Sequence, residues 1–299
     1  MEYVLRTDGL TKKYKKQTVV NNVSLCVGKG DIYGFVGKNG AGKTTFIRMI
    51  LGLARPSGGS FSLLPGEDIF SARRKTGSLV ESPSLYTNMT ARENLRLVCR
   101  ISGEDPAQTD ELLEMVGLDD TGRKKAGDFS LGMKQRLGIA MALVGDPEFL
   151  ILDEPINGLD PTGIVEMREL ILRLNRERGK TIFISSHILG ELEKIATRYG
   201  IISKGRLVEE ITAKELSEKC AAETILRTDE PEKAAGILRA LLSTDRVEVT
   251  STNTVIISAP VDNIGLITNE LFRNNIAVSG INTSDSGAER YFIKKMGEG

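Results

Sequence analysis

The sequence predicts an α/β fold. Its parts are a mainly parallel, doubly wound sheet, a small antiparallel β layer, an inserted helical subdomain and a separate, smaller α+β domain. Three observations predict it. The stretch DIYGFVGKNGAGKT runs from a short apolar strand through a glycine-rich turn into a helix. Apolar strands and helical segments then alternate, which implies parallel strands joined by crossovers. Past Cys220 the pattern restarts in a different order.

In chain order, VLRTDGL and QTVVNNVSLCV read as strands of the antiparallel layer, joined by a strand after the turn PSGG at Pro56. Asp31 to Gly37 is a central strand, and Lys43 to Leu53 a helix ending near Gly52. Further strands fall at Ser78 to Val80, Phe149 to Leu152 and Thr181 to Ser185, with a helix over Gly163 to Arg178. Met89 to Ala126 carries helical patterns such as ARENLRLVCRI and QTDELLEMVG and is too long for a simple crossover. It reads as a helical subdomain spanning about residues 82 to 135. Beyond the boundary, ETILRTD, EKAAGILRALL, DRVEVTST, TVIISAP, DNIGLITNELFRNN and IAVSGINTS read β-α-β-β-α-β, with the hairpin turning at Thr252 to Asn253 and GAERYFIKKM as one more helix. The expected domains are residues 1–215 and 221–299.

Bulk properties exclude several classes. The 299 residues carry 40 basic and 40 acidic side chains, and no basic patch or long single-sign block points to nucleic acid. Cys26, Cys99 and Cys220 are widely spaced, which argues against a disulfide framework or a zinc site and for a reducing compartment. No apolar run approaches the roughly 20 residues that span a bilayer, and MEYVLRTDG has no secretory apolar region.

The chemistry concentrates in a few motifs. GKNGAGKT, Gly37 to Thr44, fits GxxxxGK(S/T) between a strand and a helix, the context of a phosphate-binding P-loop. The expected ATP contacts are Gly37, Lys38, Asn39, Gly40, Ala41, Gly42, Lys43, Thr44 and Thr45. Glycines let the backbone N–H groups curl around phosphate oxygens, Lys43 reaches the β- and γ-phosphates, and the Thr44 hydroxyl ligates Mg²⁺. FLILDEP delivers two carboxylates at a strand's C-terminal end, where open α/β sheets bind ligands. Asp153 is expected to hold Mg²⁺ and Glu154 to act as general base, the plain alternative being two acids that cap the next helix. His187, the only histidine, ends TIFISSH at the same edge and is expected to meet the γ-phosphate, although a lone histidine is more often structural. Tyr14 can stack on adenine or simply pack. In FSLGMKQ, Ser130 and Gly132 stand where a loop becomes a helix, a second arrangement suited to an anion.

Taken in order, Tyr14, GKNGAGKT, FSLGMKQ, FLILDEP, INGLDP with Asp160, and His187 resemble the nucleotide-binding subunit of ATP-binding cassette (ABC) transporters, over about residues 1 to 215. The resemblance implies an ATPase whose signature residues Ser130, Leu131, Gly132, Met133, Lys134 and Gln135 close over ATP bound to a second, identical cassette arranged head to tail. It also implies a separate transmembrane permease facing the helical subdomain, and a cytoplasmic position at the inner face of the plasma membrane. Where most of the family has glutamine, this chain has Glu81, which resembles the bacitracin and lantibiotic resistance branch and adds a carboxylate to the Mg²⁺ set of Thr44 and Asp153. Leu85, Tyr86 and Met89 then lie on a loop that can grip a membrane partner or pack on its own subdomain. A soluble cassette acting on nucleic acid or ribosomes is the alternative, and the chain lacks coiled-coil heptads and a basic patch.

Overall fold

The computed structural model describes residues 2–220, 223–251, 253–258, 261, 263–284 and 287–298. It divides into two units, Met1–Ala213 with Lys295–Gly299, and Lys214–Lys294.

In the first unit the strands are β1 Tyr3–Tyr14, β2 Gln17–Val23, β3 Cys26–Gly28, β4 Ile32–Val36, β5 Gly58–Leu63, β6 Thr76–Leu79, β7 Phe149–Asp153, β8 Thr181–Ser186, β9 Arg198–Ser203 and β10 Arg206–Thr212. The helices are α1 Lys43–Ile50, α2 Ile69–Arg74, α3 Ala91–Ser102, α4 Thr109–Met115, α5 Leu131–Ala142, α6 Pro161–Arg176 and α7 Leu189–Leu192, with α8 Ala213–Lys219 starting at its boundary. The main sheet has the order β10-β9-β4-β8-β7-β6. It is parallel except for β10, which returns antiparallel to β9. Its central strands IYGFV, FLILD and TIFISS are buried along their whole length. Both faces are covered, so these strands read as continuous apolar runs with no alternation. The antiparallel layer pairs β2, β1 and β3, with β5 on β1. Where α1 packs on the main sheet, Phe46 meets Phe35 of β4 and Phe183 of β8, with ring centroids 5.0–6.0 Å apart across the trio.

Local chemistry moves several boundaries from their sequence expectation. Helix α6 starts at Pro161, before Gly163, because the Asp160 carboxylate accepts from the Gly163 N–H (3.2 Å) as N-cap and proline occupies the first turn. Helix α1 stops at Ile50 because Gly52 takes a left-handed turn with φ 80°. Helix α3 begins with a capping box in which Thr90 Oγ1 accepts from Glu93 N–H and the Glu93 carboxylate accepts from Thr90 N–H. That backbone bond, with Lys125 beside it, holds the Glu93 carboxyl below its ordinary range.

Helix α5 runs past the expected end of the helical subdomain and seats its second half on the main sheet. A Cβ on Gly77 of β6 would lie 2.0 Å from the Ala142 carbonyl oxygen, and one on Gly138 would lie 2.8 Å from Pro83 Cβ. Backbone meets backbone at Gly77, so no side chain can yield. Gly77→Ala is expected to destabilise the first unit by about 2–3 kcal/mol through overpacking, read as a fall in denaturant midpoint at constant m-value. An unchanged midpoint would show that the helix can slide.

The second unit has β11 Glu223–Thr228, α9 Pro231–Leu242, β12 Val247–Ser251, β13 Thr254–Ile257, α10 Ile264–Arg273 and β14 Val278–Ser284, followed by α11 Gly287–Glu298. All pairings are antiparallel in the order β12-β13-β11-β14, which is the split βαβ layout. Thr252, in the expected hairpin turn, lies outside the described residues. Leu238, Val255, Ile267 and Leu271 join in one core.

From Lys295 the chain belongs to the first unit again. Ser203 Oγ donates to the Met296 carbonyl at 2.9 Å, Lys295 pairs with Glu209 at 3.4 Å, and the Met296 side chain is buried. Deleting residues 221 onward is therefore expected to leave nucleotide binding in place while costing about 2 kcal/mol of apolar burial, a fall in Tm of about 4–8 °C. A truncated chain that melts with the full chain would remove this role for the tail.

Candidate nucleotide site

The site lies at the carboxyl edge of the main sheet, where β4, β7 and β8 end. Strand β4 passes into the loop of residues 37–42, which caps α1. Gly42 is the N-cap, with φ 108°, and a Cβ there would lie 2.7 Å from the Val19 carbonyl oxygen. No side chain caps α1 and no acid sits in its first turn, so its leading N–H groups and positive dipole end are offered to an anion. Lys38, Asn39 and Gly40 are exposed, Gly37, Ala41 and Gly42 are buried, and Thr44 and Thr45 are half-buried in the first turn.

Lys43 is 5% exposed, and its ammonium donates to the carbonyls of Gly37 (2.6 Å) and Lys38 (3.2 Å). It also lies 3.0 Å from Glu154 Oε1. Glu154 follows β7 with φ 52°, a left-handed conformation that favours glycine. Two hydrogen bonds hold it there, from its own N–H to the Ser185 carbonyl and to Ser185 Oγ, both at 3.1 Å. Ser185 Oγ in turn donates to the buried Asp153 carboxylate at 2.5 Å. Glu154 Oε2 lies 2.8 Å from His187 Nδ1. The Glu154 carboxylate is thus bracketed, with lysine on one oxygen and histidine on the other. Sequence reasoning placed His187 on a phosphate and did not foresee its hold on Glu154. It missed Ser185 altogether, although a Ser-Ser pair ending the apolar run TIFI was a visible signal.

The remaining residues divide. Tyr14 ends β1, 46% exposed, with the Lys12 ammonium 4.8 Å from its ring centroid. Glu81 is exposed, and its carboxylate turns to Arg48 at 2.7 Å rather than joining Thr44 and Asp153. Among the described residues no cluster of three or more His, Cys, Asp or Glu side chains could hold a metal. Ser130 caps α5, accepting from Met133 N–H at 3.2 Å. Ser130 and Leu131 are exposed, whereas Gly132, Met133 and Lys134 are half-buried and Gln135 is 4% exposed, its side chain turned into the fold. Leu131 Cδ2 would lie 3.1 Å from a Cβ on Gly158, so the start of α5 touches the INGLDP loop of its own chain. Asp160 is occupied as the α6 cap. On the 82–90 loop only Tyr86 is exposed among the three apolar candidates. Asn94 pins its backbone from both sides, at 2.9 and 3.1 Å, and Leu85 and Met89 are half-buried.

Residues 20–157 match the family described as ABC transporter. Over its whole length the chain is 44% identical to the bacitracin transport ATP-binding protein BcrA of Enterococcus faecalis, covering 98% of it. This chain belongs to the ABC transporter family. The cassette is an ATP-binding, ATP-hydrolysing subunit of such a transporter. It is also 44% identical to the lantibiotic transport ATP-binding protein SrtF of Streptococcus pyogenes, over 69% of this chain and 90% of that one. Among solved structures, the dimeric post-hydrolysis state of the cassette MJ0796 bound to ADP and Pi superposes with a TM-score of 0.63 at 25% identity, covering 70% of this chain and 98% of that one. No helix among the described residues of the cassette is long and apolar enough to cross a membrane.

Proposed function

We propose that this subunit drives a separate transmembrane permease that exports or clears a peptide antibiotic of the bacitracin or lantibiotic type. The observation that carries the catalytic part is the bracketed Glu154 carboxylate, 3.0 Å from Lys43 and 2.8 Å from His187 at the end of β7. The backbone amides of residues 37–45 and the Lys43 ammonium bind the phosphates. Glu154 takes a proton from the attacking water as the γ-phosphoryl group leaves the β-phosphate oxygen. His187 Nδ1 orients that carboxylate, and with hydrogen on both ring nitrogens Nε2 donates to the γ-phosphate. Tyr14 stacks on adenine from β1.

The donor chemistry fits Mg²⁺, which favours hard oxygen ligands and keeps most of its shell for water and phosphate. The Thr44 hydroxyl and the buried Asp153 carboxylate would hold it, without needing a cage of three acids. Bound there, Mg²⁺ would supply charge neutralisation across the β- and γ-phosphates.

Ser130, Leu131 and Gly132 complete the nucleotide site of a second copy arranged head to tail, in keeping with the dimeric relative. The permease holds the pair at the inner face of the membrane, with Tyr86 on the helical subdomain facing it. The second unit is an accessory domain. Coexpression with a candidate permease should raise the bacitracin or lantibiotic concentration that cells tolerate, and Glu154→Gln should abolish the gain. Equal tolerance with both forms would overturn the export reading while leaving the ATPase intact.

A further inference from the structure

Arg48 has no part in the reaction as described, yet it stands in a repeated arrangement. Strands β6 and β7 run parallel with Leu79 opposite Leu152. Two residues beyond that last pair each strand reaches a glutamate, Glu81 and Glu154, and both take the left-handed conformation, with φ 59° and 52°. Such a backbone is costly for a residue with a side chain and persists where the surroundings impose it. Both carboxylates are held by cations from one helix. Lys43 at the start of α1 lies 3.0 Å from Glu154, and Arg48 in its last turn lies 2.7 Å from Glu81.

The two pairs differ in burial. Lys43 and Glu154 are 5% and 17% exposed, whereas Arg48 and Glu81 are 42% and 59% exposed. An exposed ion pair adds little net stability and exchanges at small cost. Adjacent strands lie about 4.8 Å apart, so a Glu81 carboxylate released from Arg48 is within side-chain reach of the edge that carries Asp153 and Glu154. A glutamine at position 81 could not form the ion pair.

We propose that Arg48 is a positioning residue. Its guanidinium holds the second carboxylate at the rim, and the Arg48–Glu81 pair governs whether Glu81 adds its charge and its oxygens to the metal–nucleotide site. The proposal rests on the reading of that edge as the site. Removing the guanidinium frees an oxygen ligand beside Asp153 and raises divalent-cation affinity, but only in a chain that has Glu81.

The test is Mn²⁺ binding by the full chain with a non-hydrolysable ATP analogue, read by electron paramagnetic resonance of the free ion, with a melting curve for every variant. Arg48→Gln should lower the half-saturating Mn²⁺ concentration at least about twofold, the size of the smallest couplings between contacting residues, and Arg48→Lys should stay near wild type. In a Glu81→Gln background, Arg48→Gln should change nothing. A shift of the same size in both backgrounds, or a smaller one in the Glu81 chain, overturns the proposal. Wild-type chain that takes up no Mn²⁺ with the analogue overturns the site reading as well.

Discussion

Glu154→Gln is expected to bind ATP as tightly as the wild type, or more tightly, while releasing phosphate about 10²–10⁴-fold more slowly. The glutamine has the same shape, so the left-handed turn after β7 and the bonds from the Glu154 N–H to Ser185 survive. What is lost is a carboxylate able to accept a proton from water. Ground-state affinity does not suffer, because an anion beside the phosphates is removed. Single-turnover phosphate release beside equilibrium binding of a fluorescent ATP analogue separates the two effects. Turnover near the wild-type rate would assign the base to another group.

Lys43→Ala is the second large effect, and it acts on two properties. The ammonium is the one side-chain cation that the P-loop turns inward, so its loss should weaken ATP binding by at least about tenfold, the lower end for a charge-assisted hydrogen bond. It also strips the half-buried Glu154 carboxylate of its lysine partner. Removing one member of a buried pair costs about 3–5 kcal/mol, whereas removing both costs less. Glu154→Gln added to Lys43→Ala should therefore recover part of the lost Tm without restoring ATP affinity. A double variant that melts at or below the single one would show that the pair contributes no net stability, and that Lys43 matters for phosphate alone.

The order of strands and helices was legible because hydrophobic periodicity and glycine punctuation are local. IYGFV, FLILD and TIFISS could hardly be anything but buried parallel strands once a P-loop lay between them. The split βαβ order of the second unit was readable for the same reason. Side-chain direction was not, because it depends on neighbours far apart in sequence. His187 and Glu154 are separated by more than 30 residues, and only the pairing of β7 with β8 makes them meet. Glu81 was read as a departure in charge, but its partner Arg48 is five residues past Lys43 and carries no motif. Gln135 belongs to a stretch that reads as one contact surface, yet helical rotation sends its side chain inward.

The return of Lys295 and Met296 to the first unit has a consequence for biosynthesis. Translation is vectorial, and domains fold as their segments emerge from the ribosome. Residues 295–298 are made after residues 214–294, so the ATPase unit waits for the entire second unit before its last contacts can close. A nascent chain interrupted between them presents Ser203 and the bed of Met296 uncovered. Completion of the first unit thereby reports that the second has already been synthesised, an ordering that an appended domain would not impose.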